Sequence, residues 1–263
     1  MSNPIPPEHP PLRGSTVPNI YGFEDEIGNP IVGGAAVIPL LELTEAREYR
    51  RIGTGFFITS TGVFATAKHV LLSAHQCSRP IFTWQLIPPD QWHIRPVLQF
   101  SYHDTADVAI GVSCPSVHEE TGEALLDVPV RLTTILHMAG DLVATYAYPS
   151  TIIQTAETGQ VLSFSPEFYE GRIVEYFPSG RDTVMLPGPC YRTDMVIHHG
   201  ASGGPVAGPT GRVFGINSTG FDGTDDFYIS RIDELFSLDI ATSENDRITI
   251  QELINECVVT VDP

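Results

Sequence analysis

From Val37 onward, short apolar runs alternate with Gly, Pro, Ser and Asn, a rhythm that specifies short strands joined by turns. The first runs are AVIPLLEL and RRIGTGFFIT, then a turn at Ser60-Thr61-Gly62, then VFATAKHVLL. VLQFSYH and DVAIGV follow. The polar stretch SVHEETGEALLD (116–127) then breaks the rhythm and reads as a linker between two halves. Strand-like segments resume with DLVATYAYP, GQVLSFSP, GRIVEYFP, DTVMLPG and MVIHHG, and close with PVAG, RVFGINS and FYISRI. The pattern changes at the end. Thr249-Ile-Gln-Glu252 fits a capping box, and Ile250, Leu253, Ile254 and Cys257 recur at helical spacing. Two sets of strands, a central linker and a terminal helix predict an all-β double barrel. The expected divisions are a flexible Pro-rich tail over 1–30, an N-terminal barrel over 31–120, a C-terminal barrel over 121–240, and a helix and tail over 241–263.

Composition agrees with this and narrows the partners. The 263 residues are enough for one large all-β unit or two small domains, and 23 Gly with 22 Pro favour turns over long helices. With 14 basic against 32 acidic residues the net charge is −18, which argues against nucleic acid and anionic membranes, since both need clustered Lys and Arg. No basic region followed by an apolar one marks a secretory leader, and no run approaches the roughly 20 apolar residues of a membrane span. Cys77, Cys114, Cys190 and Cys257 lie far apart without Cys-x-x-Cys or Cys/His spacing. They read as reduced thiols, so the expected compartment is the cytoplasm.

Three places carry candidate chemistry. In HHGASGGPVAG (198–208), Ser202 sits on a tight turn among small residues, where backbone N–H groups can converge on one point as an oxyanion hole requires. The alternative is a Gly-rich hairpin turn. In GTGFFITSTGVFATAKHVLL (53–72), His69 follows Thr66-Ala67-Lys68, residues that leave its ring uncovered; a lone His after a strand is also a common surface residue. In TADVAIGV, Asp107 heads an apolar strand, either as a strand cap or as the buried carboxylate that orients an imidazole. A nucleophilic Ser needs a base and the base needs an orienter, so the three together carry more weight than each alone. Asp104 is a rival for the acid, but no Val-Ala-Ile strand follows it.

These motifs resemble the trypsin-like (chymotrypsin-fold) serine proteases over about Val37 to Ile240. In texture they are similar to single-domain bacterial relatives of the high-temperature-requirement proteases rather than to the digestive enzymes. YRTDMVIHHGASGGPVAGPTGRVFGIN (191–217) is similar to that group's strand, Ser loop and hairpin, and GTGFFITSTGVFATAKHVL to its His hairpin. The resemblance implies a double six-stranded β-barrel with a C-terminal helix, and a serine endopeptidase working through an acyl-enzyme. It assigns attack to Ser202, general base and acid to His69, orientation to Asp107, and the oxyanion hole to the N–H groups of Gly200 and Ser202. It places Asn217, Ser218, Thr219 and Gly220 beside an extended substrate, with the Ser218 hydroxyl also touching Asp107; Ser218 as an ordinary strand residue stays open. His199 is expected to line the cleft. No cofactor or metal is implied, and the partner is a polypeptide substrate. Oligomeric state has no signal in the sequence. A catalytically silent module that binds extended peptides is the alternative.

The resemblance also bears on specificity and activation. Val196 matches the base of the primary pocket, where trypsins carry an Asp, and implies a small to medium apolar residue on the acyl side of the cut. FDGTDDF (221–227) competes, since Asp225 or Asp226 could reach the pocket wall and invite Lys or Arg. As a calcium loop it lacks spaced ligands, and a solvated acidic turn is the better reading. Adjacent His198 and His199 would point opposite ways on a strand, against paired metal ligation. GNPIVGGA (28–35) contains the Ile-Val-Gly-Gly start of activated zymogens. However, Ala201 stands where the buried Ile ammonium would need a carboxylate, and Pro30, not a basic residue, precedes Ile31. The zymogen switch is therefore not expected.

Overall fold

The computed structural model describes residues 22–87, 91–118, 121–150, 152–156, 159–163, 165–220 and 226–263. A hairpin of β1 (Gly22–Glu24) and β2 (Pro30–Val32) leads into a single helical turn, α1 (Gly33–Ala36). A first barrel is closed by β3 (Val37–Leu43), β4 (Tyr49–Phe57), β5 (Val63–Thr66), β6 (Ile81–Ile87), β7 (Gln91–Tyr102) and β8 (Ala109–Ser113), in the order β3-β4-β5-β8-β7-β6. The helix α2 (Lys68–Gln76) lies between β5 and β6. Two short strands, β9 (Ser116–Val117) and β10 (Ala124–Leu125), pair in the connection, and β11 (Leu132–Thr133) opens the second half.

The second half contains β12 (Leu142–Ala147), a hairpin of β13 (Ile152–Ala156) and β14 (Gly159–Ser163), β15 (Glu167–Phe177), β16 (Cys190–Thr193), β17 (Pro205–Ala207), β18 (Val213–Gly220) and β19 (Phe227–Arg231). A second ring runs β12-β15-β16-β19-β18-β17 and closes because β17 pairs with both β12 and β18. The hairpin β20 (Asp239–Ala241) and β21 (Arg247–Thr249), the helix α3 (Ile250–Asn255) and β22 (Val261–Asp262) end the chain. The double six-stranded barrel is thus the observed fold. Among the described residues no helix is long and apolar enough to cross a membrane.

The barrels follow from strands buried along their length. Phe56, Phe57 and Phe64 on β4 and β5 are fully buried, each contributing roughly 1.5–3 kcal/mol by removal from water. A second cluster, including Val143, Ile173, Tyr191, Val206 and Phe214, fills the second ring. At the end of the chain Thr249 caps α3 reciprocally with Glu252, as the sequence motif required. Cys257 lies past the helix, exposed, with φ +59°, so it does not join Ile250 and Leu253 on the buried face.

Several segments behave differently from the sequence pattern. Residues 22–30 fall within the expected tail but form β1 and its turn, because Phe23 finds a buried site and Glu24 pairs with Arg212; residues 1–21 lie outside the described ones. VFATAKHVLL does not continue as a strand beyond Thr66. Val70, Leu71 and Ala74 form a helical apolar face, and α2 starts at Lys68. Residues 116–127 hold the β9–β10 hairpin rather than a bare linker. The C-terminal tail pairs as well: Leu132 lies opposite Val261, and Arg131 makes a bidentate contact with Asp262 at 2.7 and 2.7 Å. The Gly pair of Ile-Val-Gly-Gly has a packing role, since a β-carbon on Gly33 would lie 2.6 Å from the Tyr146 ring.

Arg95 on β7 binds both oxygens of Asp127 at 2.9 and 3.1 Å, and Gln85 at 2.6 Å. Both charged side chains are only 4% exposed, and the guanidinium lies 5.0 Å from the Phe57 ring centre. Burial raises the Asp127 carboxyl from its ordinary range against the opposing pull of Arg95. This pair anchors the inter-barrel connection to the first barrel. Removing one partner strands the other charge in the interior, so Arg95→Met is expected to cost about 3–5 kcal/mol. Urea unfolding of the two proteins measures it; a loss below about 0.5 kcal/mol, the scale of an ordinary surface change, would refute an anchoring role.

Candidate active site

The connection between β5 and α2 sets the first functional side chain. Ala67 is extended, and the chain turns helical at Lys68, placing His69 in the first turn of α2. The N–H of His69 donates to Asp107 Oδ1 at 3.0 Å, and its ring Nδ1 lies 2.9 Å from Oδ2 and 3.1 Å from Oδ1. The Ser218 hydroxyl donates to Oδ2 of the same carboxylate. Asp107 is thereby held by backbone, imidazole and hydroxyl, and is 12% exposed, while the His69 side chain is 49% exposed. The Asp107 contact assigns the proton to Nδ1 in the neutral ring and leaves the lone pair on Nε2, the tautomer a general base needs. Asp104 does not compete. Its described contact is through its carbonyl, which accepts from Lys68 Nζ at 2.8 Å.

The Ser loop lies between the two barrels. His198–Ala201 forms a turn closed by Ala201 N–H to His198 O at 3.2 Å, with Gly200 at φ +97°. Gly203, at φ +88°, approaches so closely that a β-carbon there would overlap Thr54 O and the Thr66 hydroxyl and lie 3.1 Å from Ala67 N. Ser202 and Gly203 are thus pressed against the entry to α2. On the other side, Gly203 N–H donates to Asn217 O at 2.8 Å and Asn217 N–H to Gly204 O at 2.9 Å. Among the described residues neither the Gly200 N–H nor the Ser202 N–H has an acceptor in the protein, and the Ser202 hydroxyl is likewise unpartnered.

Residues the sequence did not single out hold this loop. Thr54 N–H donates to Ser202 O at 2.9 Å, its hydroxyl donates to Gly200 O at 2.9 Å, and that hydroxyl also accepts from Tyr148 N–H at 3.2 Å. Thr66 Oγ1 donates to Thr54 O at 2.7 Å. His198 is fixed from β15 by Glu167 at 3.2 Å and the Tyr169 hydroxyl at 3.1 Å. Burial raises the Glu167 carboxyl, but hydrogen bonds from Ser150, Tyr169 and His198 outweigh it and hold the group below its ordinary range. Arg51 lies against Gly200, where a β-carbon would overlap its guanidinium. Nothing local in the sequence marks Thr54, Glu167 or Arg51.

A model of the trypsin-like peptidase domain matches residues 53–216, which takes in the second half of β4, His69, Asp107, Ser202 and the first half of β18. The chain belongs to the trypsin-like peptidase domain family. Among curated proteins it is similar to the serine endoprotease DegS of Escherichia coli (strain K12), 25% identical over 179 residues, covering 68% of this chain and 42% of DegS. DegS of Salmonella typhimurium (strain 14028s / SGSC 2262) matches with the same identity and coverage. The chain therefore spans less than half the length of these relatives. Among solved structures the crystal structure of Deg5 has a TM-score of 0.57 at 17% identity, covering 76% of this chain and 85% of that one. The HtrA-type protease AlgW with decapeptide has a TM-score of 0.53 at 17% identity, covering 76% and 62%.

The remaining expected contacts of this trypsin-like peptidase domain divide. Ser218, Thr219 and Gly220 lie at the end of β18, where the register with β19 slips between Asn217 and Gly220, a bulge of the kind that re-aims side chains. Asn217 is turned inward instead. Its side chain, 2% exposed, donates to Thr145 Oγ1 at 2.7 Å, and its backbone N–H and carbonyl are engaged with the Ser loop, so it braces the site and does not face substrate. Val196 is not the floor of an enclosed pocket: past the end of β16 the chain buries Met195 in the core and leaves Val196 57% exposed. His199 is exposed beside Gly200. Asp226 is bound to Arg192 at 3.0 Å, and Asp225 lies outside the described residues.

Burial disfavours the His69 imidazolium, but the hydrogen bond and charge of Asp107 outweigh it and hold the ring's pKa above its ordinary 6.5. The stabilisation that this pair gives the fold is complete below pH 6.5 and lost as pH rises through the higher folded value. NMR titration of the ring protons should give a midpoint above 6.5, and Asp107→Asn, which leaves burial alone, should move it below 6.5. An unchanged midpoint in the variant would show that the carboxylate does not set the ring's charge.

Proposed function

We propose that the chain is a serine endopeptidase in which His69, Asp107 and Ser202 act as a unit. His69 takes the proton of Ser202 as the hydroxyl attacks a peptide carbonyl, and Asp107 stabilises the imidazolium that forms. The N–H groups of Gly200 and Ser202 receive the developing oxyanion. His69 then returns the proton to the leaving amine, and a water activated by the same imidazole hydrolyses the acyl-enzyme. The observation that carries this reading is the Asp107–His69 pair beside a Ser loop whose two candidate donors have no acceptor in the protein. That arrangement favours turnover over a silent peptide-binding module. Ser218 acts as a positioning residue through its bond to Asp107.

The acyl half of an extended peptide pairs with the end of β18 at Ser218, Thr219 and Gly220. AlgW, a structural neighbour solved with a decapeptide, supports a polypeptide ligand. We keep a small to medium apolar acyl-side residue as the preferred one. Arg192 holds Asp226, and the exposed Val196 offers apolar surface to that side of the cleft. Cytoplasmic placement rests on four free thiols. No activating cut at Ile31 is needed: the residues before it form part of the folded hairpin, and Ala201, fully buried, offers no carboxylate to a freed ammonium.

Intact protein incubated with a denatured protein mixture should generate new termini, mostly after small to medium apolar residues. Ser202→Ala should lower the rate by on the order of 10⁴-fold or more. Termini found mainly after Lys or Arg would contradict the apolar preference, and activity that survives in the variant would contradict the mechanism.

A further inference from the structure

Arg51 is an unusual cation in this chain. Most described arginines are tied to carboxylates, among them Arg50, Arg95, Arg131 and Arg231. Arg51 is half-buried, donates to Tyr148 O at 3.1 Å, and has no carboxylate partner among the described residues. Its guanidinium rests on Gly200, whose N–H is one of the two donors assigned to the oxyanion. A partly desolvated charge without a counter-ion is unfavourable, and here burial lowers the guanidinium's pKa against the nearby Tyr169 oxygen, although it stays charged. In a protein of net charge −18 there is no shortage of acidic side chains that could have been placed opposite it.

The position of Arg51 fixes which part of a substrate it can meet. The Ser loop is clamped between β18, bonded to Gly203 and Gly204, and β4, bonded through Thr54 to Gly200 and Ser202. A peptide whose acyl half pairs with the end of β18 must pass Ser202 and leave over β4, the strand that carries Arg51. We propose that Arg51 is a specificity-determining residue that binds a carboxylate on the leaving-group side of the cut, within the first two residues, supplied either by an Asp or Glu side chain or by the substrate's own C-terminus. The fork of a guanidinium suits bidentate recognition of that group. The proposal rests on the peptide direction given for the peptidase reading.

Its test separates the two. Peptides identical on the acyl side carry Asp or Glu, or the isosteric Asn or Gln, at the first and second positions after the cut; a further pair ends at the second position with a free or an amidated terminus. Fluorescence anisotropy reads affinity on the Ser202→Ala protein, and kcat/KM is measured on the unsubstituted one. One carboxylate arm should bind about tenfold more tightly than its amide, and the arm that does so names the source. Arg51→Gln should erase the ratio, and Arg51→Glu should bind a matching peptide with Lys at the same position more tightly than the unsubstituted protein does, a gain that misfolding cannot produce. Equal affinities throughout, or a preference that persists in Arg51→Gln, would overturn the proposal. Carboxylate-dependent binding without any turnover would leave Arg51 in its role and remove the peptidase reading. Turnover without preference would do the reverse.

Discussion

The site depends on one residue of the first barrel reaching into the second. Thr54 is fully buried, and its N–H, hydroxyl and carbonyl bind Ser202, Gly200, Tyr148 and Thr66. The first barrel carries His69 and Asp107, the second carries Ser202, and two packed bodies joined by one connection have no covalent reason to keep these in register. Hydrogen bonds in a dry interface supply that reason, because each group left unpaired there costs about 1–3 kcal/mol. Gly203 permits the approach: its positive φ and missing side chain let the loop press against Thr54 and Thr66. The second barrel holds the same loop from behind through Asn217.

Electrostatics then act on a fixed frame. Asp107 takes three donors, one each from the α2 backbone, the His69 ring and Ser218, so its negative charge is solvated by the protein and aimed at one imidazole. Because Ser218 belongs to β18, the carboxylate is itself a contact between barrels. The other face of the Ser loop is fastened by His198 to Glu167 and Tyr169. Around this framework the acidic surplus of the chain matters less than the few local pairings. Arg51, the cation beside Gly200, is where that surplus was not used.

Strand content, the double barrel and the α3 capping box were legible in the sequence because each has a local signature in period or cap chemistry, and His69, Asp107 and Ser202 stood out there as a His after a strand, an Asp heading one and a Ser among glycines. The early start of α2 was hidden because Val70, Leu71 and Ala74 sit in an apolar run that fits a strand equally well over so short a length. The pairing of β1 and β22 was hidden because short edge strands have no pattern of their own. Val196 and Asn217 show the limit of carrying roles over from a motif resemblance: burial turned Met195 inward and left Val196 outside, and Asn217 is consumed by the loop it was expected to flank. Glu167, Arg51 and Thr54 act across sequence separations of 31 to 149 residues, where no local signal exists.

The most direct measurement is the rate at which a fluorophosphonate probe modifies Ser202 in the intact protein, read by mass spectrometry for the unsubstituted chain, Thr54→Val and Thr54→Ser. If the Thr54 hydroxyl holds the Ser loop in its reactive form, Thr54→Val should react about tenfold more slowly or worse, and Thr54→Ser should recover most of the rate. Equal labelling of all three folded proteins would contradict the account, as would an unsubstituted protein that does not label at all.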